Sequence, residues 1–138
     1  MTKHQLYLGL GSNLGDKEGN LNEAIRLIAE RIGLVKRQSS FIQTEPWGFQ
    51  SENSFINAVI LCETDKTPRE VLLLTQQIER EMGRLQKSVS VGYADRLIDI
   101  DILLYDDLTV NEVDLKIPHP LMFQRDFVMR PLKEITNQ

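Results

Sequence analysis

Cysteine is nearly absent from this chain of 138 residues: the single thiol, Cys62, sits in the apolar stretch FINAVILC. One cysteine excludes an intramolecular disulfide and most thiolate metal centres, and in that setting it reads as a small core residue. Long hydrophobic runs are missing too. The opening MTKHQLYLGLGSNLGD breaks at glycines after a short apolar run, so neither a signal peptide nor a membrane span is expected, and the protein is expected in the cytoplasm. Positive charge is in deficit, with 16 Lys and Arg against 20 Asp and Glu and a net charge of −4. That balance argues against nucleic acid or membrane binding through the whole surface. Phosphate-loop signatures also fail: GLGSNLGD lacks a Lys-Ser/Thr ending and its glycines do not fit G-x-G-x-x-G, which leaves a tight strand-to-helix turn. Repeats and disorder signals are missing as well, and 41% hydrophobic with 26% charged residues fits one globular domain over residues 1–138.

What is present alternates between two periods. QLYLGLG (5–11) reads as a strand, and Leu21, Ala24, Ile25, Ile28 and Ile32 then recur at helical spacing. Asn20 with Glu23 forms a capping-box-like start, and Gly33 supplies the stop. LVKRQSSFIQT and SFINAVILCET read as an antiparallel strand pair joined by the polar connection EPWGFQSEN. A second helix is predicted in TPREVLLLTQQIEREMG, with Thr67 as N-cap, Pro68 at the first helical position, Glu70 closing the capping box and Gly83 ending it. The aspartate-bearing strand follows, and the order strand, helix, strand, strand, helix, strand predicts a ferredoxin-like α+β sandwich. The remainder is expected to add a strand or two, a Pro-rich turn and a short helical tail.

In RLIDIDILLYDD (96–107) the isoleucines Ile98, Ile100 and Ile102 alternate with Asp99 and Asp101. A period of two sends the isoleucines to one face and both carboxylates to the other, with Cα atoms about 6.6 Å apart. A solvated strand face explains bare alternating acids equally well. Arg84, Lys87 and Arg96 precede the strand, however, and His119 and Arg125 follow it. Paired acids ringed by Arg, Lys and His suit a metal-bound polyphosphate, whose charge requires Mg²⁺ and guanidinium partners together.

The strand SFINAVILCE carries a second candidate group. Phe55, Asn57, Val59 and Leu61 share one face, and an asparagine beside an aromatic suits a flat heterocycle, stacked on the ring with its polar edge on the carboxamide. A satisfied core asparagine is the plainer alternative. His4, near the terminus beside Lys3, reads as a surface residue with no ligand types nearby, whereas Trp47 lies on the long loop where an aromatic can close over a ligand.

With these residues in view, the chain resembles the 6-hydroxymethyl-7,8-dihydropterin pyrophosphokinase family over nearly its full length. GLGSNLGD, TEPWG, FINAV, IEREMGR, DRLIDIDIL, IPHP and RDFVMRPL occur in the family's order at compatible spacings. The resemblance implies transfer of the β,γ-diphosphate of ATP to the hydroxymethyl oxygen of the reduced pterin, leaving AMP, as a step of folate biosynthesis. Its fold is ferredoxin-like, in agreement with the element order. It further implies that Asp99 and Asp101 ligate two Mg²⁺ ions and that Arg84 and Arg96 act on the transferring phosphates. Lys87, His119 and Arg125 become triphosphate contacts, and Gln76 and Glu79 line the nucleotide site. Phe55 and Phe127 are similar to the aromatics that sandwich the pterin, with Asn57 on its edge and Thr44, Pro46 and Trp47 in the adjoining loop. Gln86 and Pro120 depart from residues that some members carry, a basic side chain and a tyrosine. The expected partners are small molecules, ATP and the pterin, acting on a monomer.

Two other readings stay open at this level. A polymerase-palm-like or cyclase-like nucleotidyl transferase also uses paired carboxylates on such a sheet, and a noncatalytic ligand-binding module would leave the acids merely solvated. An RNA-recognition sheet is disfavoured, because the K/R-G-F/Y-G/A-F-V-x-F/Y signature is missing.

Overall fold

A computed structural model describes residues 3–44, 54–84 and 97–136, with Thr44 and Arg84 described in their backbone only. The elements run β1 (His4–Ser12), α1 (Lys17–Arg31), β2 (Leu34–Gln38), β3 (Ile42–Thr44), β4 (Phe55–Thr64), α2 (Pro68–Arg84), β5 (Asp99–Tyr105), β6 (Val110–Glu112), β7 (Leu115–Ile117), a 3-10 turn (Met122–Gln124) and α3 (Asp126–Thr136). The main sheet has the order β2-β4-β1-β5, with β3 also paired to β4, and each pairing is antiparallel. That order is the one a βαββαβ chain takes in a ferredoxin-like α+β fold. The hairpin β6-β7 and α3 are additions.

Period-two patterning explains how the sheet is clothed. Leu6, Leu8 and Leu10 of β1, Ile56, Ala58, Ile60 and Cys62 of β4, and Ile98, Ile100 and Ile102 project to one face, where they meet Leu21, Ala24 and Ile28 of α1 and Val71, Ile78 and Met82 of α2. Fully burying one such Leu or Ile stabilises the fold by about 1.5–3 kcal/mol, so this layer supplies most of the driving force. Cys62 lies within it, and burial pushes its thiol pKa up to about 12, which keeps it protonated and unreactive. On the opposite face Val59, Leu61 and Leu103 pack against Met122 and against Val128, Leu132 and Ile135 of α3. Pro131 lies inside α3, and its missing N–H removes the intrahelical bond that the Phe127 carbonyl would otherwise accept.

Several expectations need correction. Helix α1 starts four residues earlier than the Asn20 cap predicts: Asp16 is the N-cap and accepts the Gly19 N–H at 3.1 Å. Asn20 instead reaches back from inside the helix, its carboxamide donating to the Leu14 carbonyl at 2.8 Å and to Ser12 Oγ at 3.2 Å. The turn it braces needs Gly15, whose φ of 66° is one that side chains disfavour. The capping box of α2 forms as expected, with Thr67 N–H donating to Glu70 Oε1 at 2.8 Å and Glu70 N–H to Thr67 Oγ1 at 3.2 Å, but α2 passes Gly83 and ends at Arg84.

The run read as one strand from LVKRQSSFIQT is two, because the Ser39 hydroxyl takes over a ladder bond from the Val59 N–H at 2.9 Å while Ser39 N–H donates to the Val59 carbonyl at 2.9 Å. Ser40 then turns outward to Glu134 of α3, which ties the tail helix to this bulge.

His4 is not the unpartnered surface residue expected. Its Nδ1 lies 2.6 Å from Asp106 Oδ2, its ring stacks on Tyr105 with centroids 4.9 Å apart, and Asp106 Oδ1 accepts the Gln5 N–H at 2.7 Å. That backbone bond first, and His4 second, hold the Asp106 carboxyl below its ordinary value of 3.8. A depressed folded-state pKa gives stability that is present above the ordinary value and lost as pH falls through the lower one. Asp106→Asn is therefore expected to lower stability near neutrality and to flatten the acid limb of the stability curve, read as urea midpoints between about pH 7 and pH 2, with variant and wild type converging at the acid end.

Candidate active site

The open part of the second sheet face is assembled by β1, which lies between β4 and β5. Gly11 is paired with Asn57 on one side and with Asp99 on the other, and Gly9 with Val59 and Asp101. Strands lie about 4.8 Å apart, so Asn57 and Asp99 stand about 10 Å apart across β1. Helix α3 covers Val59, Leu61 and Leu103 on this face. The end carrying Phe55, Asn57, Gly11, Asp99 and Asp101 lies beyond that apolar cluster.

Asp99 and Asp101 are half-buried and neighbouring, as the alternation predicts. β5 is the last strand of the sheet, and its outward Ile100 N–H, between the two acids, donates to Glu79 Oε2 of α2 at 2.7 Å. Glu79 therefore braces the acid-bearing strand directly, a contact that spacing along the helix does not reveal.

His119 Nε2 lies 4.0 Å from Asp101 Oδ2. The turn holding it follows the cis bond Ile117–Pro118 and is pinned to β5 by His119 N–H donating to the Leu103 carbonyl at 3.1 Å. Its Nδ1 accepts the Leu121 N–H at 3.2 Å, so in the neutral ring the proton sits on Nε2, toward Asp101. Burial and the nearby Arg125 charge lower the His119 pKa against the opposing pull of Asp99. Its charged form is thereby disfavoured, where the sequence counts it among the cations.

On the other side of Gly11, Asn57 is only 5% exposed and Phe55 is half-buried. Lys17 Nζ donates to the Ser54 carbonyl at 3.1 Å and Gln43 Nε2 to Ser54 Oγ at 2.8 Å, which fixes the start of β4. Phe127 occupies the first turn of α3 and packs on the cluster of this same face, with the Arg125 guanidinium 5.5 Å from its ring centroid. Gln76 is solvent-exposed on α2, one turn before Glu79.

The structure thus brings Phe55, Asn57, Asp99, Asp101 and His119 to one end of one sheet face, with Arg125 and Phe127 in the segment that leads α3 onto it. Arg84 ends α2. The expectations for Pro46, Trp47, Lys87 and Arg96, and the departure at Gln86, fall outside the described residues, as does the Thr44 side chain. The sequence reading missed Gly11, Ser12 and Asn13 as site residues, taking them only as a strand end and the turn after it. Ser12 and Asn13 are buried polar residues beside the site, and the signal was the alternation of Gly9 and Gly11 with Leu8 and Leu10, which strips one face of a central strand.

The donor set suits a hard cation. Two neighbouring carboxylates supply oxygen ligands of the kind Mg²⁺ takes when substrate phosphates complete its shell. Among the described residues no group of three or more His, Cys, Asp or Glu is gathered to hold a metal unaided.

Comparison with known proteins gives a consistent result. Residues 7–137 match the family model for 7,8-dihydro-6-hydroxymethylpterin-pyrophosphokinase. A 2-amino-4-hydroxy-6-hydroxymethyldihydropteridine pyrophosphokinase of Porphyromonas gingivalis is 47% identical over 131 residues, covering 94% of this chain and 89% of that protein. The Bacillus subtilis protein of the same name is 39% identical over 133 residues, covering 96% and 78%. Among solved structures, an HPPK-DHPS chain in complex with substrates has a TM-score of 0.77 at 15% identity, covering 97% of this chain and 40% of its own. Wild-type Plasmodium falciparum HPPK-DHPS with pteroate has a TM-score of 0.74 at 15% identity, covering 96% and 39%. At such identities these structures speak for the fold alone.

Removing the Glu79 brace is expected to loosen β5. Glu79→Ala should cost about 1.5–3 kcal/mol, the range for a hydrogen bond to a charged group, and speed hydrogen exchange at the Ile100 amide, whereas Glu79→Gln, which keeps an acceptor, should recover most of the loss in urea denaturation.

Proposed function

The chain belongs to the 7,8-dihydro-6-hydroxymethylpterin-pyrophosphokinase family, and from that premise we propose how its residues divide the work of an ATP-dependent pyrophosphokinase of folate biosynthesis. The reaction moves the β,γ-diphosphate of ATP to the hydroxymethyl oxygen of 6-hydroxymethyl-7,8-dihydropterin. A bond forms between that oxygen and the β-phosphorus, the bond from the β-phosphorus to the oxygen bridging to the α-phosphorus breaks, AMP leaves, and the hydroxyl proton is released.

The observation that carries the assignment is the register of β1, which sets Asn57 and Asp99 on either side of Gly11 on one face. In this reading the β4 side holds the pterin. Phe55 and Phe127 stack on its ring, Asn57 bonds its polar edge, and Thr44, Pro46 and Trp47 border it. The β5 side holds the triphosphate. Asp99 and Asp101 would hold two Mg²⁺ ions, which when bound neutralise phosphate charge. Arg84 and Arg96 stabilise the transferring group, Lys87, His119 and Arg125 hold the phosphates, and Gln76 and Glu79 border the nucleotide. Orienting two substrates in one geometry is the main catalytic contribution, since phosphoryl transfer asks little covalent chemistry of the protein.

A cytoplasmic monomer is the proposed state. The net charge of −4 fits a soluble setting, and among the described residues no helix is long and apolar enough to cross a membrane.

Nucleotide products are to be resolved after mixing the protein with ATP, Mg²⁺ and the pterin, with controls lacking pterin or containing excess chelator. Pterin-dependent and Mg²⁺-dependent AMP is the expected result; ADP would mean an ordinary kinase and pyrophosphate a nucleotidyl transferase. Asp101→Ala should lower kcat at least about 10²-fold, the scale of losing one electrostatic anchor, at an unchanged thermal midpoint; near-wild-type turnover would sink the metal assignment. Asn57→Ala should act mainly on the pterin, raising its KM about tenfold or more while the KM for ATP stays put.

A further inference from the structure

Gly11 sits where the two halves of the open face meet. A methyl group built on it would stand 2.7 Å from Asn57 Oδ1 and 3.5 Å from Cδ1 of Phe55. The first distance is well inside the contact limit of carbon and oxygen, and the second is ordinary packing. Asn57 is 5% exposed, so its carboxamide cannot simply swing into bulk water. On the same strand and face, a methyl on Gly9 would have the Leu103 side chain as its nearest neighbour, at 3.4 Å, which a flexible leucine accommodates.

We propose that Gly11 is a positioning residue for the heterocyclic substrate. Its missing Cβ lets the Asn57 carboxamide lie close over β1 beside the Phe55 ring, and this fixes the direction in which the amide meets the heterocycle's polar edge. An alanine there forces the amide to turn or withdraw, and its donor and acceptor no longer match the substrate's. A buried polar pair put out of line discriminates strongly, because both partners have already given up water. The same bare backbone separates the ring-holding row from the Asp99 row, so the fit of the ring is set without a side chain in the space between them. The inference rests on the reading of Phe55 and Asn57 as pterin contacts.

The test is calorimetric titration with 6-hydroxymethyl-7,8-dihydropterin at saturating α,β-methylene ATP and Mg²⁺, and separately with the ATP analogue, on wild type, Gly9→Ala, Gly11→Ala, Asn57→Ala and the double variant of positions 11 and 57. Gly11→Ala is expected to weaken pterin binding about tenfold or more, equal to about 1.4 kcal/mol, with ATP-analogue affinity within about twofold of wild type and Gly9→Ala close to wild type. In the Asn57→Ala background the same alanine should change pterin affinity less than about twofold, since the group it displaces is gone. A full penalty persisting in that background would mean that the methyl acts without Asn57, and would overturn the inference. So would wild-type pterin affinity in Gly11→Ala, or a parallel loss of ATP-analogue binding, which marks general distortion. Wild-type affinity in Asn57→Ala would overturn the pterin reading of this face and the inference with it.

Discussion

The antiparallel register of β1 between β4 and β5 is the constraint from which the rest of the site follows. Leu6, Leu8 and Leu10 must enter the layer under α1 and α2, and a slip of one residue would turn them to the other side. Once they are placed, Gly9 and Gly11 have no choice of face. Asn57 and Asp99 are then brought to either side of Gly11 by backbone hydrogen bonds rather than by any attraction between the functional groups themselves. Apolar burial on one face thus sets polar geometry on the other.

The open face is only partly open. Helix α3 covers the end carrying Val59, Leu61 and Leu103, and it is held down by Glu134 on Ser40 and by the Arg37 guanidinium on the Ile135 carbonyl at 2.7 Å. The polar end is left for ligands, with apolar packing on its flank lowering the local dielectric and strengthening interactions with charge. A strand at the edge of a sheet is the weakest place to mount two like charges, because half of its amides lack a ladder partner. Glu79 from α2 and the His119 turn, one on the Ile100 amide and the other on the Leu103 carbonyl, compensate from outside the sheet. Burial and the Arg125 charge lower the His119 pKa there, which disfavours its charged form beside the acids.

Periodicity and punctuation carried much of this fold into view. The alternation in Ile98–Ile102 and in Phe55–Cys62 assigned faces correctly because a strand's side chains have no third direction, and Thr67 with Glu70 marked a helix start because unpaired amides there must find an acceptor. The Asn20 cap failed for a related reason: Asp16, Ser12 and Leu14 compete for the same local hydrogen bonds, and one sequence permits several solutions. The split between β2 and β3 was invisible since it depends on the Ser39 hydroxyl replacing a ladder bond with Val59, a partner twenty residues away.

By itself the sequence determined the two periods, the order of elements, the pairing of Asp99 with Asp101 on one strand face and of Phe55 with Asn57 on another, and the motifs that identify the family. These are local matters, set by spacing along a chain of fixed geometry. Tertiary structure alone decided that the two faces are the same face, that a glycine separates them, that Glu79 braces the acid-bearing strand and that burial and Arg125 lower the His119 pKa. Each of these depends on which segments become neighbours across the sheet and on how much water remains between them, and neither quantity is written in the spacing of residues.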